Sequence, residues 1–189
     1  MMKQKLIWKE ESRKRVFDCP VFSINESYCR SPQGQGELGT FTVIDAADWA
    51  IVVPVLEVPA CAGKPPEKQF VMVRQWRHGS QSLSLEFPGG VFRQGEDPQE
   101  AAARELLEET GYKPGTMRKL GEFSPNPAIM ANTVHFFLAE DLVDTGRQEL
   151  DADEFINIEL ADIQTVIKGM GTPPYIHALM GSALSLYLK

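Results

Sequence analysis

The chain has 189 residues, 43% of them hydrophobic, and a formal net charge of −7. This is enough for one domain with a sizeable core and a small N-terminal extension. The negative charge and the scattered basic residues disfavour nucleic acid as a partner, because such binding needs a basic surface. No segment has the apolar length of a signal peptide or a membrane span, so we expect a cytoplasmic protein with no membrane partner. Cys19, Cys29 and Cys61 lack CxxC spacing and are expected to be reduced thiols.

Most elements predicted along the chain are strands. The alternating segment 14–28 predicts edge strands, and a Gly-rich turn follows at 32–39. Later strands are predicted at 40–44, 49–56, 70–75, 83–87, 120–123, 134–139 and 155–160. Helices are predicted from Asp97 to Gly111 and at 161–168 and 174–188. Mixed strands with few helices predict an α+β fold, arranged as an α/β/α sandwich around one sheet.

The first predicted helix has clear start and stop signals. Asp97 is a good N-cap, Pro98 suits the first helical position, and Glu100 stands three residues after the cap. Gly111 is a typical C-terminal glycine. The helix therefore has well-defined ends, and the residues between them can be assigned to faces.

One face of this helix is acidic. At about 100° per residue, Glu105, Glu108 and Glu109 share an arc of roughly 100°, while Leu106 points elsewhere. Acids on a helix are usually a solvated surface. Like charges at i, i+4 without interleaved lysines are destabilising, however, so a compensating cation is expected. Clustered carboxylates suit Mg²⁺, with Mn²⁺ as an alternative, and the metal would also bind substrate phosphates.

Arg104 lies one turn before Glu108 and is expected to order the site. A bidentate guanidinium can fix the preceding loop, which contains Glu96, against the helix and keep the metal ligands aimed. The alternative is a surface ion pair that contributes little.

The whole segment has a fixed spacing. Gly90 is followed after five residues by Glu96, and after seven more by Arg104-Glu105-Leu106; Glu108-Glu109 and Gly111 complete the pattern. This resembles the signature of the Nudix hydrolases at every fixed position, with Tyr112 where an aliphatic residue is more usual. The resemblance implies the Nudix fold for residues 46–189. It also implies that residues 1–45 form an N-terminal strand region that takes part in a homodimer.

Two further segments are similar to the ADP-ribose or ADP-sugar pyrophosphatase branch of that family. They are Val73-Arg74-Gln75-Trp76-Arg77 and Leu85-Glu86-Phe87-Pro88-Gly89-Gly90. The resemblance implies that Arg77 contacts substrate phosphate and that the backbone carbonyl of Gly89 binds metal. It makes Glu105 and Glu109 the main metal ligands, with Glu108 contributing. Arg77 could instead simply pair with Glu86, which the resemblance places near the substrate and which could equally be a buried structural partner.

Two parts of the resemblance concern the base and the nucleoside. The segment Glu154-Phe155-Ile156 resembles the loop that delivers the catalytic base, which implies Glu154; relatives with a second acid place it where this chain has Ala152. An exposed acidic loop is the alternative. Phe17 and Phe41 correspond loosely to the residues that sandwich adenine across a dimer with exchanged N-terminal strands.

Other aromatic residues could also contact the base. Trp49 and Trp76 are further candidates, although large aromatics in strands usually belong to the core. In the loop 124–132, Asn126 and Asn132 replace a glycine and an acid that relatives often have, which leaves substrate choice open.

The activity implied is Mg²⁺-dependent hydrolysis of ADP-ribose or a related nucleoside diphosphate sugar to AMP and a sugar phosphate. Other members of the family act on GDP-sugars, dinucleotide polyphosphates or NADH, and these remain alternatives. A non-catalytic module that binds ADP-ribose is a third possibility, and it predicts loss of the metal acids, which this sequence retains.

Overall fold

The computed structural model describes residues 6–33, 36, 38–59 and 65–189. These residues divide into two units: an N-terminal one made of the described residues up to 47 together with 124–133, and a larger one made of the described residues of 48–123 together with 134–189. Cys61 lies outside the described residues, and Cys19 and Cys29 are free thiols.

The N-terminal unit is a three-stranded antiparallel sheet. Its strands are β1 (Lys9–Asp18), β2 (Phe22–Arg30) and β3 (Leu38–Ala46), in the order β1-β2-β3. The edge-strand prediction for 14–28 was wrong for β2, which lies in the middle of this sheet. Alternate residues of β2 are buried, namely Ser23, Asn25, Ser27 and Cys29. Polar residues here gave the alternation of an edge strand, but hydrogen bonds such as Asn25 Nδ2 to Asp45 Oδ2 at 2.9 Å satisfy them.

The loop 124–133 belongs to the same unit because it pairs with β3. The Ile44 N–H donates to the Ile129 carbonyl at 2.7 Å, and the Ala131 N–H donates to the Ile44 carbonyl at 3.0 Å. The Asn132 side chain is buried and donates to the Ala47 carbonyl at 3.1 Å.

The larger unit is built on a mixed sheet. Its strands are β4 (Trp49–Val58), β5 (Glu67–Arg77), β6 (Ser82–Glu86), β7 (Gly89–Val91), β9 (Thr116–Phe123), β10 (Val134–Glu140) and β12 (Asn157–Asp162), and a small pair is formed by β8 (Tyr112–Lys113) and β11 (Val143–Asp144). The helices are α1 (Pro98–Thr110), α2 (Ile163–Gly169) and α3 (Ala178–Tyr187). The main order is β12-β5-β4-β10-β9; β4 and β10 are parallel, and the other pairs are antiparallel.

Each face of this sheet covers a separate core. Ala50 and Val52 of β4 pack with Ala102 and Leu106 of α1 on one face. Val53 and Val55, later in the same strand, belong to a core that includes buried residues of α2 and α3 on the other face. Because side chains alternate along a strand, β4 contributes to both layers. The predicted α/β/α sandwich is confirmed.

Several element boundaries differ from prediction. The segment Gly89–Val91, predicted as part of a loop, pairs with β4 as a short strand, with Ala50 opposite Gly90. The strand predicted at 155–160 is β12 and begins at Asn157. The helix predicted at 174–188 is α3, which begins at Ala178. In the described part of the chain, no helix is long and apolar enough to cross a membrane.

Candidate active site

The helix α1 begins and ends as the sequence predicts. The Asp97 carboxylate accepts hydrogen bonds from the Gln99 N–H at 2.8 Å and the Glu100 N–H at 3.3 Å. Gly111 has φ 71°, and its N–H donates to the Leu107 carbonyl. Burial of Ala102 and Leu106 against β4 fixes the rotation of the helix. The face that contains the glutamates is thereby set relative to the Gly89–Val91 strand.

Two glutamates one turn apart lie largely out of solvent. Glu105 is 9% exposed and Glu109 is 3% exposed. The Glu109 carboxylate accepts a hydrogen bond from the Gly89 N–H at 2.9 Å. Burial raises the pKa of Glu109 to about 8; the Gly89 N–H opposes this shift, and the Glu105 and Glu154 carboxylates add to it. Burial likewise raises the pKa of Glu105. The site therefore concentrates negative charge that the protein itself only partly compensates.

Arg104 ties the loop before α1 to the acidic face. It donates to both carboxylate oxygens of Glu96, at 2.7 and 2.8 Å, and to Glu105 and Glu108 at 2.7 and 2.8 Å. Its remaining bond is to the Val91 carbonyl at 3.2 Å. The hydrogen bonds from Arg104 lower the pKa of Glu96 to about 2, and the Arg93 N–H contributes. Arg104 with Glu96 thus forms a partly buried network, unlike an exposed surface pair.

The segment between β11 and β12 is attached to the end of α1. The Thr145 N–H donates to the Gly111 carbonyl at 2.9 Å, and the Glu149 N–H donates to the Glu108 carbonyl at 2.9 Å. The Gln148 amide donates to the Glu109 carbonyl at 2.5 Å. These bonds satisfy carbonyls that a helix end leaves without partners. They also bring Glu154 to the acidic face of the helix.

A cavity of about 370 Å³ lies over this acidic face. We call it the acidic cavity. Seven residues predicted for the site from the sequence line it together: Arg77, Gly89, Arg104, Glu105, Glu108, Glu109 and Glu154. The structure thus assembles residues that are up to 77 positions apart in the chain, which is the separation of Arg77 and Glu154.

Arg77 lines the acidic cavity and also pairs with Glu86. Its Nη2 lies 2.5 Å from Glu86 Oε2, and its Nε lies 3.0 Å from Glu86 Oε1. Glu86 is 2% exposed. Burial works to raise the pKa of Glu86, but the hydrogen bonds and the charge of Arg77 oppose it, and the net effect lowers the pKa. Glu86 orients the guanidinium, so the two roles considered for Arg77 are compatible.

The carboxylates are held by protein donors. Arg104 binds Glu105 and Glu108, and Gly89 binds Glu109. Accordingly, no three Asp, Glu, His or Cys side chains among the described residues have the arrangement of a preformed metal cluster.

The donor set nevertheless fits a hard divalent cation. Three carboxylates of α1 border one cavity, and such oxygen donors are the ligands that Mg²⁺ and Mn²⁺ prefer. Burial disfavours the charged form of Glu109 and so raises its pKa, and a cation there would stabilise that charged form. In addition, a Cβ at Gly90 would lie 2.5 Å from the Glu105 carboxyl group, so the glycine leaves this carboxylate room to approach the loop.

Substitution of Gly89 and of Gly90 is expected to have different effects, because a Cβ would meet different atoms at the two positions. A Cβ at Gly89 would lie 2.1 Å from the Ala50 carbonyl oxygen, which belongs to β4, whereas at Gly90 it would meet a side chain. We expect Gly89→Ala to lower the free energy of unfolding by about 1–3 kcal/mol or more, as overpacking does. Gly90→Ala should lose mainly Mg²⁺ affinity. Urea unfolding and Mg²⁺ titration separate the two, with Gly79→Ala, which has open space, as the control. Unchanged Mg²⁺ affinity in Gly90→Ala would contradict this role of Glu105.

Phe17 and Phe41 lie in the N-terminal unit. Phe17 is 50% exposed and contacts Phe22, with ring centroids 6.1 Å apart. Phe41 is 42% exposed and packs edge-on against Trp8 at 5.1 Å. Their role in binding the base stays a prediction.

Sequence reasoning missed three charged residues of the acidic cavity: Arg93, Glu149 and Asp151. Arg93 Nη2 donates to Glu108 Oε1 at 3.0 Å. Its position three residues after Gly90 was the available signal, since a basic residue in that loop has acids of the helix close by. Glu149 and Asp151 gave no signal beyond their proximity to Glu154 in the chain.

The protein is an α/β/α domain in which the acidic face of α1 lies beside the glycine-containing strand β7. The model of the NUDIX domain matches residues 58–179, and the chain belongs to this family.

Relatives and a solved structure agree with this assignment. An ADP-ribose pyrophosphatase of Bacillus subtilis (strain 168) is 37% identical over 103 residues, which are 54% of this chain and 56% of the relative. An ADP-sugar pyrophosphatase of Mus musculus is 37% identical over 94 residues, 48% of this chain and 39% of the relative. The chain thus spans about half the length of the curated relatives it matches, or less. A solved structure described as an ADP compounds hydrolase has the same fold, with a TM-score of 0.79 at 20% identity over 96% of this chain and 92% of the other.

Proposed function

We propose that the protein hydrolyses the diphosphate of ADP-ribose or a related nucleoside diphosphate sugar, giving AMP and a sugar phosphate. The observation that carries this proposal is the acidic cavity, where three carboxylates of one helix face Arg77 and Glu154. A diphosphate needs positive charge on its oxygens and a base for the attacking water, and these residues can supply both with a divalent cation. The names of the relatives from B. subtilis and mouse support the substrate class.

Each residue has a distinct part in this proposal. Glu105, Glu108 and Glu109, with the backbone carbonyl of Gly89, would hold Mg²⁺ or Mn²⁺. When bound, the metal would neutralise phosphate charge and acidify water. Arg77, oriented by Glu86, would bind a phosphate oxygen that the cation leaves free.

The remaining two residues act on the water and on the ligands. Glu154 would accept the proton of the attacking water, since its loop is anchored to the end of α1 beside the acids. Arg104 would be a positioning residue, because it contacts Glu105 and Glu108 and fixes their orientation.

A substrate panel tests the proposal. The full chain would be incubated with ADP-ribose, a GDP-sugar, a dinucleotide polyphosphate and NADH, each with Mg²⁺ or Mn²⁺, and phosphate release would be measured after coupling to a phosphatase. We expect the highest kcat/KM with ADP-ribose or another ADP-sugar. A clear preference for one of the other nucleotides would reject ADP-ribose as the substrate and put that nucleotide in its place. Binding of ADP-ribose without any cleavage would show a non-catalytic module.

We further propose that the protein is a cytoplasmic homodimer. The free thiols of Cys19 and Cys29 are consistent with a reducing compartment. The N-terminal unit exposes several large apolar side chains, which favours burial against a second copy. They are Val16, Phe17, Val21, Leu38 and Phe41. Light scattering should give twice the 21.1 kDa chain mass, and a monomer at micromolar concentration would contradict the dimer.

A further inference from the structure

A second cavity of about 190 Å³ adjoins the acidic cavity. The two cavities share Arg77 and the strand Gly89–Val91. Beyond these shared residues, the second cavity is lined by Trp49, Ile51, His177 and Leu179, and it contains no carboxylate. We call it the Trp49 cavity. Its chemistry is therefore largely apolar, in contrast to that of its neighbour.

His177 lines this cavity and has one ring nitrogen that can donate a hydrogen bond. It is the N-cap of α3, and its Nδ1 accepts a hydrogen bond from the Leu179 N–H at 3.2 Å. An imidazole nitrogen that accepts carries no proton, so the proton of the neutral ring is on Nε2. Among the described residues, the acid nearest to Nε2 is Glu86, with Oε2 at 3.9 Å, which is too long for a hydrogen bond. Burial lowers the pKa of His177, which favours the neutral ring.

The shared residues determine what can enter the Trp49 cavity. In the proposed function, Arg77 and Gly89 lie beside the diphosphate of the substrate. The Gly89–Val91 strand borders both cavities, so a diphosphate held there would have one of its two substituents next to the Trp49 cavity. At about 190 Å³ this cavity is smaller than the ~300–1,000 Å³ typical of pockets for whole ligands, so it accommodates one substituent.

The chemistry of the lining selects between the two substituents. The two substituents are a sugar and a nucleoside. The sugar carries several hydroxyl groups, and each would lose hydrogen bonds to water against the apolar side chains of Ile51 and Leu179. A planar base has an apolar face that can stack on the Trp49 indole and polar edge atoms that can accept from a donor. A cavity lined by one tryptophan and one imidazole N–H therefore suits the nucleoside of the substrate better than its sugar.

We propose that the Trp49 cavity binds the nucleoside end of the substrate, with Trp49 in contact with the base and His177 Nε2 donating to an acceptor atom of the nucleoside. This assignment rests on the proposed diphosphate hydrolysis. It makes Trp49 and His177 specificity-determining residues and gives the base to Trp49 in place of Phe17 and Phe41, while the acids and Glu154 act on the phosphates.

Binding of adenosine tests the cavity independently of hydrolysis, because adenosine is uncharged and needs no metal. Its dissociation constant would be measured by calorimetry in EDTA, with ribose 5-phosphate as the contrasting probe. Base stacking typically contributes about 1–3 kcal/mol, so Trp49→Ala should weaken adenosine binding about tenfold or more. Trp49→Phe should retain most of the affinity because it keeps an aromatic face. Ribose 5-phosphate binding should change little in either variant.

His177 is tested by a variant that preserves the helix cap. His177→Asn retains a good N-cap residue but shortens the side chain, so α3 should remain intact while the donor to the cavity is withdrawn. We expect adenosine binding to weaken about three- to tenfold, the usual effect of losing one hydrogen bond. His78→Ala is the matched control, since His78 is exposed and lines neither cavity among the described residues.

The outcomes separate this proposal from the proposed function. In turnover, Trp49→Ala and His177→Asn should change KM for ADP-ribose more than kcat, and Trp49→Phe should change both little. Adenosine that fails to bind the wild-type protein, or that binds Trp49→Ala and His177→Asn as well as wild type, would overturn the cavity assignment even if ADP-ribose is cleaved. If adenosine binding depends on Trp49 but the protein cleaves no nucleotide, the proposed hydrolysis is rejected and the assignment of the Trp49 cavity as a nucleoside site stands.

Discussion

Glu109→Gln is expected to lower kcat for ADP-ribose by about 10³-fold or more, because it removes charge where a cation is proposed to act on the diphosphate. Glu109 is 3% exposed and burial raises its pKa to about 8. A neutral amide of the same shape is therefore compatible with its surroundings in the metal-free protein. The loss should appear in turnover, measured by phosphate release, and the fold should stay intact in circular dichroism.

The metal itself provides a second readout for Glu109. A ligand that binds only the folded state raises its stability, so Mg²⁺ should raise the Tm of the wild-type protein and raise that of Glu109→Gln much less. Glu100→Gln is the matched control, because Glu100 is an exposed residue in the first turn of the same helix. Near-normal turnover of Glu109→Gln, together with an unchanged Mg²⁺ effect on Tm, would reject the assignment of the acidic cavity as the metal site.

The features of the site that could be predicted from the sequence are those that depend on residues close together in the chain. Asp97, Pro98 and Gly111 define the ends of α1 through contacts within a few residues, and the spacing of Glu105 and Glu109 follows from helix geometry alone. The network of Arg104 with Glu96 is similarly close in sequence, eight residues apart. Such features need no knowledge of the tertiary fold.

The features that were not predictable depend on contacts between distant segments. Gly89–Val91 looks like a loop because two glycines and a proline precede Val91, and it becomes a strand only because β4 lies beside it. The loop 124–133 joins the N-terminal unit through backbone bonds to Ile44, and a backbone bond carries no signature in the side chains.

The two tryptophans considered for the base illustrate the same limit. Trp49 and Trp76 are both aromatic residues in strands, and the sequence gives no reason to prefer either. In the structure, Trp49 lines a cavity beside Arg77, whereas Trp76 is 46% exposed and lines neither that cavity nor the acidic one. The choice depends on which face of each strand meets the site, which is a property of the assembled sheet.

The second large effect is expected for Glu154, whose role as base is the least direct of the proposed roles. Glu154→Gln should lower kcat about 10²–10⁴-fold, the usual contribution of a positioned general base. The Glu154 carboxylate also accepts a hydrogen bond from the Asp151 N–H at 3.2 Å, which a glutamine carbonyl oxygen can accept equally well. The loop should therefore keep its conformation, and the Mg²⁺-dependent rise in Tm should persist, since Glu154 is not a proposed metal ligand.

Glu149 and Asp151 are the matched controls, because both are acids of the same segment that line the acidic cavity. If Glu154 is the base, Glu149→Gln and Asp151→Asn should retain turnover within about tenfold, which separates loss of nearby charge from loss of proton transfer. A large loss of kcat in Asp151→Asn that Glu154→Gln does not show would transfer the role of base to Asp151.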